Sequence, residues 1–165
     1  MTTRFAATCI VVQALLVVVA AGPATAQPLY ITELVALNDA GLQDEDATYQ
    51  DWLEVHNAGA TSVDLAGWYL TDNATNLTKW QFPSAVLAPG GYLVVFASSK
   101  NRATPGLPLH TNFALSGSGE YLALVRPDTS VEHDYAPTFG PQTANISYGL
   151  ASDLINERCF LNPTP

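Results

Sequence analysis

Beyond residue 26 the chain is interrupted too often to build long helices. No stretch there keeps apolar residues at the three-to-four-residue interval of a helix face. Short runs of β-branched and aromatic residues recur instead, separated by Gly, Pro, Asn and Asp, which is the pattern of strands and turns. Strands are predicted near Leu29–Leu37, Trp52–Asn57, Ser62–Leu70, Thr78–Phe82, Tyr92–Ala97, Tyr121–Arg126, Val131–Tyr135 and Asn145–Tyr148. About seven to eight strands at this spacing predict an all-β chain folded as a β-sandwich.

The separators have their own chemistry. Ala58-Gly59-Ala60 lets the chain reverse after Asn57, and Pro89-Gly90-Gly91 sets one turn dihedral while freeing the next two. Both alternating faces of Tyr92-Leu93-Val94-Val95-Phe96 are apolar, so this strand is expected to be central and covered on both sides, or to lie under a loop. Trp68 and Leu70 alternate with Tyr69 and Thr71, which places the first pair inward. The expected core includes Leu53, Val55, Trp68, Leu70, Leu93, Val95, Leu122 and Leu124. Asn38 to Gln50 reads as an acidic loop, and Ser98 to Thr111, with Pro105, Gly106 and Pro108, as a long connection suited to a surface role.

The first 26 residues read as an export signal. Arg4 supplies a basic start, Phe5 to Ala21 an apolar run, and Ala24-Thr25-Ala26 the small-x-small form of a cleavage site, so the mature domain is predicted over residues 27–165. The run is short for a membrane span and is broken by Gly22 and Pro23; a retained N-terminal anchor is the alternative. A secreted or envelope location follows, with no transmembrane span in the mature chain. Loss of Arg4 takes the formal charge from −9 to about −10, and the basic residues that stay (Lys79, Lys100, Arg102, Arg126, Arg158) are scattered. Nucleic acid, which needs a positive footprint, is not an expected partner. Cys159 is the single cysteine of the mature chain, so an internal disulfide is excluded, and the thiol is expected to be a small buried apolar group.

Five runs in order, Ile31-Thr32-Glu33-Leu34, Asp51 to Asn57, Val63 to Asp72, Trp80-Gln81-Phe82-Pro83 and Leu87 to Leu93, resemble the lamin-tail domain of exported bacterial proteins. The resemblance extends from about Leu29 to Pro165. It implies an immunoglobulin-like sandwich with no catalytic residues, used as a binding or anchoring module. The expected partner is a protein or carbohydrate at the cell surface, and the alternative is a structural spacer within a larger surface protein. The terminal Phe160 to Pro165 resembles the closing segment of such domains, so the chain is expected to be either a minimal module or a truncated reading of a longer one.

Asp39, Asp44, Glu45, Asp46 and Asp51 cluster along the acidic loop. Hard cations collect six to eight oxygens, so Asp44, Asp46 and Asp51 are the candidate ligands of calcium, the one cofactor the sequence suggests. The spacing is not that of an EF-hand: counting from Asp44, Tyr49 stands where Gly is required and Val55 where Glu is required. Related loops often contain Gly where this chain has Ala47-Thr48. The competing reading is a solvated acidic loop whose Asp residues cap turns.

Catalysis finds little support. His56, His110 and His133 have neither paired zinc-site spacing nor a local cluster, and read as surface or strand-end residues; Gly117-Ser118-Gly119 lacks the flanks of a nucleophile elbow. Glu33, Glu54 and Asp64 contain the material for a carboxylate pair acting on sugars, but sequence does not set their separation. Trp52, Trp68 and Trp80 suit either a sugar platform, the basis of a calcium-dependent carbohydrate-binding alternative, or the core. Asn73, Asn76 and Asn145 begin glycosylation-type triplets.

Overall fold

The computed structural model describes residues 28–160, apart from the Arg158 side chain; the predicted signal, residues 1–26, lies outside them. Twelve strands are present among the described residues, in the order β1 (Leu29–Val35), β2 (Trp52–Asn57), β3 (Val63–Asp64), β4 (Tyr69–Thr71), β5 (Trp80–Gln81), β6 (Val86–Leu87), β7 (Tyr92–Phe96), β8 (Leu109–His110), β9 (Leu122–Val125), β10 (Val131–Tyr135), β11 (Ser147–Leu150) and β12 (Glu157–Phe160). They form a six-stranded sheet β12-β11-β1-β2-β7-β8, a four-stranded sheet β10-β9-β4-β5 and a two-stranded ribbon β3-β6. Every pairing is antiparallel except β7 with β8.

The two larger sheets share one core. Ile31, Leu34, Leu53, Val55 and Val95 come from the six-stranded sheet, and Leu70, Trp80, Leu122, Leu124 and Tyr135 from the four-stranded one. Each fully buried large aliphatic side chain contributes on the order of 2 kcal/mol. The two sheets are also tied by hydrogen bonds: Tyr135 Oη donates to Ile31 O at 2.8 Å, and the Leu29 and Ile31 amides donate to Glu132 Oε1 and His133 Nδ1. Seven of the expected core residues are buried; Leu93 is half-buried against the same cluster. Trp52 and Trp80 are 1% and 2% exposed, so neither serves as a sugar platform.

Several local expectations are corrected. The strand expected over Ser62–Leu70 is two strands, because Asp64 Oδ1 accepts the Ala66 amide, Trp68 N donates to Leu65 O, and Gly67 takes a φ of 82°. Thr71, expected to point outward, is fully buried, its hydroxyl bonded to the Asn73 and Asn76 carbonyls. Three short strands, β6, β8 and β12, were not expected: two residues leave no period to read in β6 or β8. Cys159 is exposed rather than buried, since β12 is the edge strand of its sheet. The apolar β7 does lie under a loop, but only at one end: Val94 and Phe96 join Val35, Trp52 and Leu42 on the outer face, while Tyr92 at the other end is 60% exposed.

A bulge in β1 between Ile31 and Glu33 decides what the outer face carries. Ile31 and Leu34 stay in the core while Thr32 and Glu33, both between them, are spared from it. Gly149 on β11 allows the close approach this requires, since a Cβ there would lie 2.0 Å from Thr32 O.

Candidate functional site

The outer face of the six-stranded sheet has two ends with different chemistry. At one end the loop between β1 and β2 folds over Trp52 and Phe96. Asn38 closes its base, donating through Nδ2 to Leu42 O (2.7 Å) and Gln50 O (2.8 Å) and accepting the Gly41 amide. Asn145 Oδ1 accepts the amides of Asp39 and Ala40, so one of the glycosylation-type asparagines is built into the loop anchor.

Asp44 organises the loop tip. Its Oδ1 accepts the amides of Asp46 and Thr48 and the Thr48 hydroxyl, and its Oδ2 accepts the ammonium of Lys100. Burial raises the Asp44 pKa, but Lys100, the Thr48 and Asp46 amides and the Thr48 hydroxyl outweigh it and bring the value down to about 2. Lys100 Nζ also reaches Asp46 Oδ2 at 2.7 Å, which Arg102 contacts at 2.7 Å while bonding Glu45 through its other nitrogen. The cations thus come from the long connection after β7, and they stitch it to the acidic loop.

Of the three predicted calcium ligands, the fold brings Asp44 and Asp46 together around Lys100 and sets Asp51 apart. Asp51 accepts the Asn38 amide at 3.3 Å. Burial, reinforced by the charge of Asp39, pushes its pKa up to about 6 against the pull of backbone amides. The carboxylates of Asp44 and Glu45 and the imidazole of His110 do offer ligand atoms within 4.8 Å of one another. Lys100 and Arg102 already lie against these carboxylates.

His110, expected at the surface or at a strand end and without a cluster, is at a strand end but neither exposed nor alone. It ends β8, is fully buried, stacks on Phe96 with ring centroids 5.0 Å apart, and bonds Ser98 Oγ at 2.8 Å through Nδ1 and Glu45 Oε2 at 2.9 Å through Nε2. A hydroxyl, an imidazole and a carboxylate in line resemble the parts of a nucleophilic relay. The neighbouring cavity is lined by Glu45, Arg102 and Leu107 among others. The line fits a tie between loops. Sequence reasoning missed it because Glu45 and His110 are 65 positions apart. His133 is likewise half-buried within β10, where it accepts the Ile31 amide, and His56 stacks on Tyr92.

At the other end Glu33 and Glu54 stand directly opposite each other on β1 and β2. They are 4% and 6% exposed. Thr32 Oγ1 donates to Glu54 Oε1 at 2.7 Å, and Ser147 Oγ donates to Glu33 Oε1. Burial raises the Glu54 pKa; the Thr32 bond opposes this and the charge of Glu33 adds to it. Both line a cavity of about 560 Å³ with Thr32, Tyr92, Leu150 and Phe160 among its other walls. Asp64, the third carboxylate considered for sugar chemistry, is elsewhere, capping the turn after β3 and holding Ser84 and Ala85.

Two packed, largely antiparallel sheets with one shared core define an all-β, immunoglobulin-like sandwich. The chain matches the family model described as Lamin Tail Domain over residues 23–138, more than half its length, and belongs to that family. The family is a non-catalytic immunoglobulin-like fold. Strands β11 and β12 lie past the matched stretch, yet β11 pairs with β1, so both complete the same sheet. No curated protein matches the chain. Among the described residues no helix is long and apolar enough to cross a membrane.

Proposed function

We propose that this chain is an exported, non-catalytic module that binds or anchors a partner at the cell surface. The observation that carries the reading is the uneven outer face of the six-stranded sheet. A sandwich needs one buried face per sheet for its core. Here the loop covers part of the second face, and the rest forms a cavity with two nearly buried carboxylates and apolar walls. Folding alone gives no reason to keep such a cavity, whereas recognition does.

The absence of catalysis is part of the same proposal. Ser98, His110 and Glu45 are hydrogen-bonded in line as a tie between loops, and Asp64 is committed to a turn. A hydrolase reading predicts activity that disappears on replacing Glu54 or Asp64.

Immobilising the full chain and exposing it to surface extracts of the source cell tests the module. Specific retention of a partner is expected, with Gln27 as the N-terminal residue of the exported form. Repeated absence of any retained partner would turn the reading towards a spacer whose contacts are neighbouring domains.

A further inference from the structure

We propose that His133 is an acid-sensitive latch between the two sheets, which releases the Leu29–Ile31 half of β1 from β10 when its imidazole takes a second proton. The device is independent of which partner the module binds.

Strand β11 pairs with β1 only at Glu33 and Leu34, so that edge of β1 has no strand beside it over Leu29–Ile31. Side chains of β10 stand in for one. Glu132 Oε1 accepts the Leu29 amide at 3.1 Å, His133 Nδ1 accepts the Ile31 amide at 3.3 Å, and the Tyr135 hydroxyl donates to Ile31 O at 2.8 Å. Leu29 and Ile31 are fully buried, so an amide that loses its acceptor here finds little water to replace it.

The middle bond depends on a proton. A backbone amide only donates, so Nδ1 must offer a lone pair and the neutral ring holds its proton on Nε2. A second proton, taken from solvent at this half-buried ring, goes to Nδ1 and sets two donors against each other. The Tyr135 hydroxyl, by contrast, keeps its proton throughout the acid range.

The surroundings set the direction of the switch. Burial holds the His133 pKa below its usual 6.5, against the charges of Asp134 on β10 and Glu157 on β12, which favour the imidazolium. Tyr30 on β1 and Tyr135 meet the ring edge-on, with centroids 5.5 and 5.2 Å away, and bring no ionic partner. On β9 the residue opposite is Leu124; Arg126 is paired with Glu132, and the Tyr148 hydroxyl of β11 with Glu157. With the folded value lowered, the latch contributes stability that is complete above pH 6.5 and is lost as pH falls through the folded value. That sign is opposite to the one burial gives Asp51.

The test follows amide hydrogen exchange of the full chain by NMR from pH 7.5 to pH 5, corrected for the intrinsic exchange rate. Protection of the Ile31 amide is expected to fall about tenfold between pH 7 and pH 5, in step with a His133 ring titration whose midpoint lies below 6.5, while amides in the β2–β7 pairing hold theirs. His133→Asn offers an acceptor that does not titrate, and His133→Ala offers none. Both are expected to abolish the pH dependence, and thermal melts establish that they fold. Unchanged Ile31 protection while the ring titrates, a ring midpoint at or above 6.5, an equal fall across β2, or a pH-dependent fall that survives in either variant would each overturn the proposal.

Discussion

Asp44 and Glu54 are both nearly buried carboxylates at the outer face of one molecule, and their surroundings drive them in opposite directions. Asp44 is met by an ammonium, two amides and a hydroxyl, and it stays ionised to about pH 2. Glu54 is met by one hydroxyl and by the charge of Glu33, and its affinity for a proton rises. Burial acts on both; directed donors decide the sign. The loop end is thereby a closed structural clasp, whereas at the open end burial favours the neutral form of Glu54.

The comparison breaks most severely at Asp44. Asp44→Ala leaves the Thr48 and Asp46 amides without their side-chain acceptor and Lys100 with Asp46 as its remaining carboxylate, and should cost about 2–3 kcal/mol in urea unfolding and speed hydrogen exchange across residues 38–50. Glu54→Gln, by contrast, should leave stability unchanged or raise it by up to about 1 kcal/mol at neutral pH, because it removes a charge that burial disfavours. Equal losses in the two variants would mean that both carboxylates are structural.

The pH dependence sharpens the contrast. Asp44, with a lowered folded-state value, contributes stability that is present above its ordinary 3.8 and is lost as pH falls towards 2. Asp51 has the opposite sign: between 3.8 and about 6 the folded chain holds a proton that the unfolded chain has lost, so stability falls as pH rises through that window. Asp51→Asn should flatten the descending limb, worth about 2 kcal/mol or less, in melts taken from pH 4 to pH 7. A descending limb unchanged in the variant would assign it to Glu54 or Glu120, whose values are also raised by burial.

Two smaller effects probe the clasp. Ala47 has a φ of 58°, a left-handed conformation natural to Gly, so Ala47→Gly should stabilise the loop by up to about 1 kcal/mol in thermal melts. Calcium in millimolar excess should leave the melting temperature unmoved, since Lys100 stands between Asp44 and Asp46 and Asp51 is occupied with the Asn38 amide. A rise that vanishes in Asp46→Asn would restore the calcium reading and require Lys100 to yield its place.

Much of the fold was legible because its signals are local. Alternation and breakers located β2 and β10 to the residue and the other long strands to within a few positions. The apolar run at Tyr92–Phe96 pointed to a covered strand, on both sides or under a loop, and the loop supplies that cover at the Phe96 end alone. The candidate site was legible only in part: the acidic loop was visible, but its neutralisation by Lys100 and Arg102 was not, because those cations arrive from a different connection. The burial of His110 and the exposure of Cys159 escaped for the same kind of reason, since position within a sheet is set by partners distant in sequence.

Sequence alone therefore determined the all-β class, the family and most of the core, through hydrophobic period, turn chemistry and an ordered set of motifs. Tertiary structure decided that Asp44 and Asp46 meet Lys100 and that Glu33 and Glu54 face each other across β1 and β2. A bulge at Ile31/Glu33 and a glycine at 149 bring Glu33 and Glu54 together above a cavity. Electrostatic character depends on distances of a few ångströms between groups far apart in the chain, and only folding sets those distances.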